Sequence, residues 1–116
     1  MDTSTINVLN HHLTAFGEGS VEEILKDYTE DSIVLHPDGV VKGLQQITAF
    51  FTEIFKIFVP GDYSFDMKCQ EVHGDVAYIV WKAETPKLVV EMGTDTFVVH
   101  NGKIDLQTFA GHMVPK

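Results

Sequence analysis

The chain is 116 residues long, with 8 lysines, no arginine and 17 acidic residues, for a net charge of −9. That length allows one domain with a real core, and an apolar share of 44% with eight Phe is that of a folded globule. Phosphate and base-edge recognition need clustered cations, chiefly Arg, so nucleic acid and acidic lipid surfaces are excluded, and a small, neutral, apolar molecule is the ligand this composition suits.

Cys69 is the only cysteine, so no internal disulfide and no zinc site of several thiolates is expected. The N-terminal Met1-Asp-Thr-Ser-Thr-Ile-Asn carries neither the basic nor the apolar run of a signal peptide. No stretch approaches the roughly 20 apolar residues of a membrane span. Residues 1–116 therefore read as a single domain of a cytoplasmic protein.

Ile6, Leu9, Leu13 and Phe16 recur at helical spacing and predict a first helix, with Thr3 or Ser4 as its cap. His12 falls inside its apolar arc and His11 at the flank. Gly17 and Gly19 end it. Ser20-Val-Glu-Glu23 is a capping box and opens a short second helix with Val21, Ile24, Leu25 and Tyr28 inward. Ser32 to His36 reads as a strand, Pro37-Asp-Gly39 as a turn, and Val40-Val41 as a return strand or a lead into the next helix. After Gly43, the wide apolar face of Leu44, Ile47, Phe50, Phe51, Ile54, Phe55 and Phe58 predicts a long helix, stopped by Pro60-Gly61. Four strands follow. Phe65, Met67 and Cys69 alternate with polar residues, His73-Gly-Asp75 turns, and Val76 to Glu84 is rich in β-branched and aromatic residues. Leu88 to His100 is a long strand in which Gly93 suggests a bulge. Asn101-Gly102 is a hairpin signal, and Ile104 to Met113 is the last strand. The order predicts an α+β fold with helices on one face of a curved sheet.

The runs Gly19-Ser-Val-Glu-Glu-Ile-Leu, Tyr28-Thr-Glu-Asp-Ser-Ile-Val-Leu-His-Pro, Gly43-Leu-Gln-Gln-Ile-Thr-Ala-Phe-Phe and Thr94-Asp-Thr-Phe-Val-Val-His-Asn-Gly-Lys-Ile, in this order, resemble the nuclear transport factor 2-like superfamily. The nearest likeness is to its SnoaL-like and ketosteroid-isomerase-like branch. The resemblance covers nearly the whole chain. It implies a cone-shaped α+β barrel: three N-terminal helices packed on a strongly curved, mostly antiparallel sheet, with an apolar pocket inside and homodimers through the outer sheet face. In ketosteroid isomerases a general-base Asp stands where this chain has His36. A tyrosine donor of the oxyanion hole stands at His12. A protonated Asp donor matches Asp95, with one residue deleted in the turn.

The residues themselves leave alternatives. His36 is either a general base at a pocket mouth or a strand-end histidine bonded to backbone or water. His12, on the apolar side of its helix, needs a partner, either a ligand oxygen or a core group. Asp95 shares a strand face with Phe97 and Val99, and a carboxylate on an apolar face must be protonated or paired; a register change at Gly93 would instead expose it. His12, His36 and Asp95 lack the spacing of a metal motif, and the resembled chemistry uses no cofactor, so neither metal nor cofactor is expected. Phe16, Phe50, Phe51, Met67, Trp81, Phe97 and Phe109 are the expected pocket lining. Two functions follow. One is a cofactor-independent acid/base isomerase, cyclase or dehydratase of a small apolar carbonyl compound, with His36 as base and His12 and Asp95 as oxyanion donors. The other is a non-catalytic module that binds an apolar ligand or serves as a dimeric accessory domain.

Overall fold

The computed structural model describes the backbone of residues 2–116 and side chains from Ser4 onward. Helix α1 (Asp2–Glu18) buries Thr5, Val8, Leu9, His12 and Ala15. The buried stripe thus runs one residue ahead of the expected one. Ile6 is left exposed, because Thr5 turns inward and donates through its hydroxyl to the carbonyl of Gly74 at 2.8 Å. The helix already includes Ser4, so Ser4 is not its cap, and the side chain of Thr3 lies outside the described residues. Gly19, at φ +65°, ends the segment.

Ser20 caps α2 (Val21–Leu25) by accepting from the Glu23 backbone N–H at 3.1 Å. The Glu23 carboxylate does not return the bond of a full capping box. It takes Lys26 at 2.6 Å and His11 at 3.1 Å instead. His11 also places Nδ1 2.8 Å from both oxygens of the buried Asp27. The Asp27 and Glu23 carboxylates raise the His11 pKa, and the cluster ties α1 to the turn after α2.

Strands β1 (Ile33–His36) and β2 (Gly39–Lys42) form a hairpin that runs directly into α3 (Gly43–Ile57). The Glu30 carboxylate accepts the Leu44 N–H at 2.9 Å and serves as the missing cap of α3. Then come β3 (Ser64–His73), β4 (Val76–Glu84), β5 (Leu88–His100) and β6 (Lys103–Pro115). Asn101 and Gly102, with φ of 53° and 75°, make the two-residue turn that Asn-Gly predicts. The sheet order is β2-β1-β6-β5-β4-β3, with only β1 and β6 parallel.

The sheet is curved and mostly antiparallel, as expected of the α+β barrel, but it is open. Its edges β2 and β3 do not pair; β2 is four residues long and feeds directly into α3. Leu9, Ile47, Phe51, Val90, Phe97 and Ile104 are buried between helices and sheet, each contributing roughly 1.5–3 kcal/mol. Two register shifts matter below. On β6, Val98 pairs with Leu106 and Val99 with Ile104, so Asp105 is an extra residue. On β5, Glu91 and Met92 stand opposite the single Lys82 of β4, and against β6 only Glu91 is extra, so the bulge precedes Gly93. Among the described residues, no helix is long and apolar enough to cross a membrane.

Candidate functional site

Between α1, α3 and the inner sheet face lies a cavity of about 850 Å³, a size that takes a small organic molecule. Its walls are largely aromatic and aliphatic: Phe16, Phe50, Phe51, Ile54, Phe97 and Phe109. Polar groups occur in two places. His12, Asp95 and Gln107 line it from buried positions, whereas Asp38, Gln46 and Glu53 line it from exposed ones.

Asp95 reaches the inner face by strand parity with Phe97 and Val99 and is 8% exposed. Its carboxylate accepts two hydrogen bonds. Trp81 Nε1–H donates to Oδ1 at 2.9 Å, and Gln107 Nε2–H donates to Oδ2 at 2.9 Å. The Gln107 carbonyl in turn accepts from the Tyr28 hydroxyl, whose oxygen lies 3.5 Å from His12 Nδ1. Burial raises the Asp95 pKa to about 6 against the lowering effect of the Trp81 and Gln107 bonds. His12 is pushed the other way, to about 3, by burial first and by the neighbouring His11 second. It is a neutral imidazole packed edge-on against Phe97, at 4.9 Å between ring centroids.

The Trp81 donor is held in place by what lies under it. Trp81 pairs with Gly93 across β4 and β5. The indole lies so close to that glycine that an added Cβ would be 2.4 Å from it. Phe65 and Phe109 stack on it at 5.5 and 6.2 Å. Gly93 therefore serves close approach rather than the bulge expected of it.

The sequence of residues 9–106 matches the SnoaL-like domain family. The chain belongs to this family. No curated protein matches the sequence. Among solved structures it is similar to a candidate ketosteroid isomerase from Kribbella flavida DSM 17836, at 15% identity over 99% of this chain and 82% of that one, with a TM-score of 0.80. It is also similar to an NTF-2-like protein from Burkholderia xenovorans LB400, at 15% identity over 94% of this chain and 83% of that one, with a TM-score of 0.77. A third is SalBIII, an epoxide hydrolase/cyclase-like enzyme of pyran ring formation in the polyether salinomycin. It shares 16% identity over 95% of this chain and 92% of that one, with a TM-score of 0.78. At such identities the likeness is one of fold, that of the SnoaL-like and nuclear transport factor 2-like proteins.

Within this SnoaL-like fold, His12, His36 and Asp95 all line the one cavity. They do not join directly. His12 and Asp95 are linked through Tyr28 and Gln107, while half-buried His36 packs on Phe50 at 5.0 Å and meets the Asp38 N–H at 3.4 Å. Among the described residues, no three His, Cys, Asp or Glu side chains gather as metal ligands. Phe16, Phe50, Phe51, Trp81, Phe97 and Phe109 line the cavity, but Met67 does not. Met67 packs at the core margin, with a register shift immediately after it on β3. The site has two further members that the sequence reading passed over. Tyr28 reads as ordinary core. Gln107 shares its strand face with Phe109, an expected pocket residue; alternation counted from Ile104 would turn both outward, and the extra Asp105 brings them inward. Its signal is a lone amide on the face of Phe109.

Proposed function

We propose that this SnoaL-like protein binds a small apolar carbonyl compound in the cavity and moves a proton on it without a cofactor, as an isomerase, cyclase or dehydratase. Asp95 is the proton acceptor. The observation that carries this reading is a buried carboxylate on an apolar cavity, bonded by two neutral donors, with no ion pair to it among the described residues. A base is most useful when its pKa lies near the working pH, and a value of about 6 leaves Asp95 ionised at neutrality yet more basic than an exposed aspartate. The roles differ from those expected of the sequence. Asp95 accepts hydrogen bonds instead of donating them, and neutral His12 carries no proton to give up near pH 7 except the one it shares with Tyr28. His36 is read as a rim residue that helps to hold the ligand. The cavity itself is read as the hollow of a cone.

Proton abstraction is measurable without knowing the natural substrate. Small cyclic ketones and enones are incubated with the protein in heavy water, and loss of the α-C–H signal is followed by NMR. Exchange above the buffer rate is expected. It should fall by about 100-fold or more in Asp95→Asn, with ligand affinity nearly kept. Equal exchange by the variant removes Asp95 as base. Tight binding with no exchange of any ligand favours the other reading, a non-catalytic apolar-ligand carrier.

Two copies are further proposed to pair through the outer face of the sheet. Each copy carries a charge of −9, and like charge keeps copies apart except where a face has none. The middle of the outer sheet face is such a patch, with the uncharged rows Ile33, Leu106, Val98, Val76 and Leu35, Thr108, Thr96, Tyr78 running across the central strands and charge returning at the margins with Lys42, Glu71 and Lys82.

A further inference from the structure

The hydrogen bonds on the cavity floor run in one direction. An indole N–H only donates and a carboxylate only accepts, so Trp81 gives its proton to Asp95 Oδ1. The Gln107 atom 2.9 Å from Oδ2 is likewise the amide nitrogen. That turns the Gln107 carbonyl oxygen toward Tyr28. The Tyr28 hydroxyl has a single proton, and it goes to this carbonyl. What His12 Nδ1 meets at 3.5 Å is then an oxygen lone pair. The neutral imidazole therefore keeps its one proton on Nδ1, and Nε2 holds a lone pair. Among the described residues nothing bonds His12 Nε2, and no sealed side-chain polar atom lacks a partner. Nε2 is thus open to the cavity that His12 lines.

We infer that the cavity selects an apolar molecule carrying a hydroxyl group, which donates its hydrogen bond to Nε2 of His12. This rests on the reading of the cavity as the substrate site and narrows the substrate to a hydroxylated carbonyl compound. A ketone or ether oxygen at the same place sets lone pair against lone pair and leaves a buried acceptor unpaired, which is unfavourable. Asp95, which lines the same cavity, also presents only acceptors. Nε2 of His12 and the Asp95 carboxylate thus receive donors, the second Nε2–H of Gln107 is the donor that remains among them, and the apolar walls reject a ligand that brings many polar groups.

The test compares three ligands of one shape: β-naphthol, its methyl ether, and methyl β-naphthyl ketone. Titration calorimetry should show β-naphthol binding about tenfold tighter than the other two. Nitrogen-15 spectra of histidine-labelled protein should show His12 protonated on Nδ1 and bare on Nε2. The Nε2 resonance should move on addition of β-naphthol but not of the ether. In Tyr28→Phe, which loses the oxygen that fixes the Nδ1 proton, the preference for the alcohol should shrink. The wild-type spectrum stands whether or not that variant folds. A proton found on Nε2, or affinities for the alcohol and ether within about twofold of each other, overturns the inference, as does failure of β-naphthol to bind. A protein that prefers the alcohol but exchanges no substrate C–H loses its base and keeps this recognition; the reverse result separates them the other way.

Discussion

Asp95 holds its proton to about pH 6 in the folded chain, whereas an aspartate in an unfolded chain releases it near about 3.9. The folded state is therefore favoured by protonation. That advantage is complete below about pH 4 and is lost as the pH rises through about 6. His12 works in the opposite sense. Its imidazole stays neutral down to about 3 when folded, but the unfolded ring charges below about 6.5, so its share of stability drains away over the same acid range. The two trends mask each other in the wild type, and a variant separates them. Relative to Asp95→Asn, the wild type should gain about 2 kcal/mol in urea unfolding between pH 7 and pH 4. Parallel profiles for the two proteins would show that Asp95 is not desolvated in the folded state. Strand parity with Phe97 and Val99 made the inward carboxylate legible in the sequence. Its partners were not, because Trp81 and Gln107 arrive from other strands, and their register depends on extra residues that leave no mark on an alternation pattern.

At the level of elements, the flat seat of Trp81 on Gly93 couples the β4–β5 ladder to the polar floor. Gly93→Ala brings a methyl within 2.4–2.8 Å of three indole atoms. The ring must lift, and the Nε1–H bond to Asp95 lengthens or breaks. The backbone itself is not strained there, since the φ of Gly93 is not positive, so the cost is that of overpacking and a weakened bond. About 1–3 kcal/mol should be lost in chemical unfolding. An unchanged midpoint would mean that the indole has room the structure does not give it. Helix α3 was legible because its apolar stripe is wide. The hairpin at Asn101-Gly102 was legible because both residues must adopt positive φ. The start of α1 was less so, since Thr5, a polar residue, takes a buried position by bonding the Gly74 carbonyl.

For the whole molecule, the uncharged middle of the outer sheet face meets the acidity of the chain. A charged side chain at its middle should abolish pairing. Sedimentation velocity at micromolar concentration should show a dimer for the wild type and a monomer for Thr96→Lys. Thr96 sits between Thr108 and Tyr78 in the central row, half-buried and outward, so the substitution leaves the inner cavity untouched. A monomeric wild type at that concentration removes the proposal. The chain order and its short motifs made the α+β class and the SnoaL-like family readable. They did not fix closure of the sheet, which depends on how far β2 extends before α3 begins.

Asp105 is the residue by which β6 exceeds its partner strand between Ile104 and Leu106. It lets Ile104 and Gln107 share the inner face three residues apart, a spacing that plain alternation forbids. Its removal would leave Leu106 next to Ile104 and still opposite Val98, with Gln107 still opposite Phe97, so a strand one residue shorter would present the same floor to the cavity. The length of β6 can therefore change by one residue at this point without editing the pocket, and Asp105 is left to the outer surface, where its carboxylate meets His100 Nδ1 at 2.6 Å.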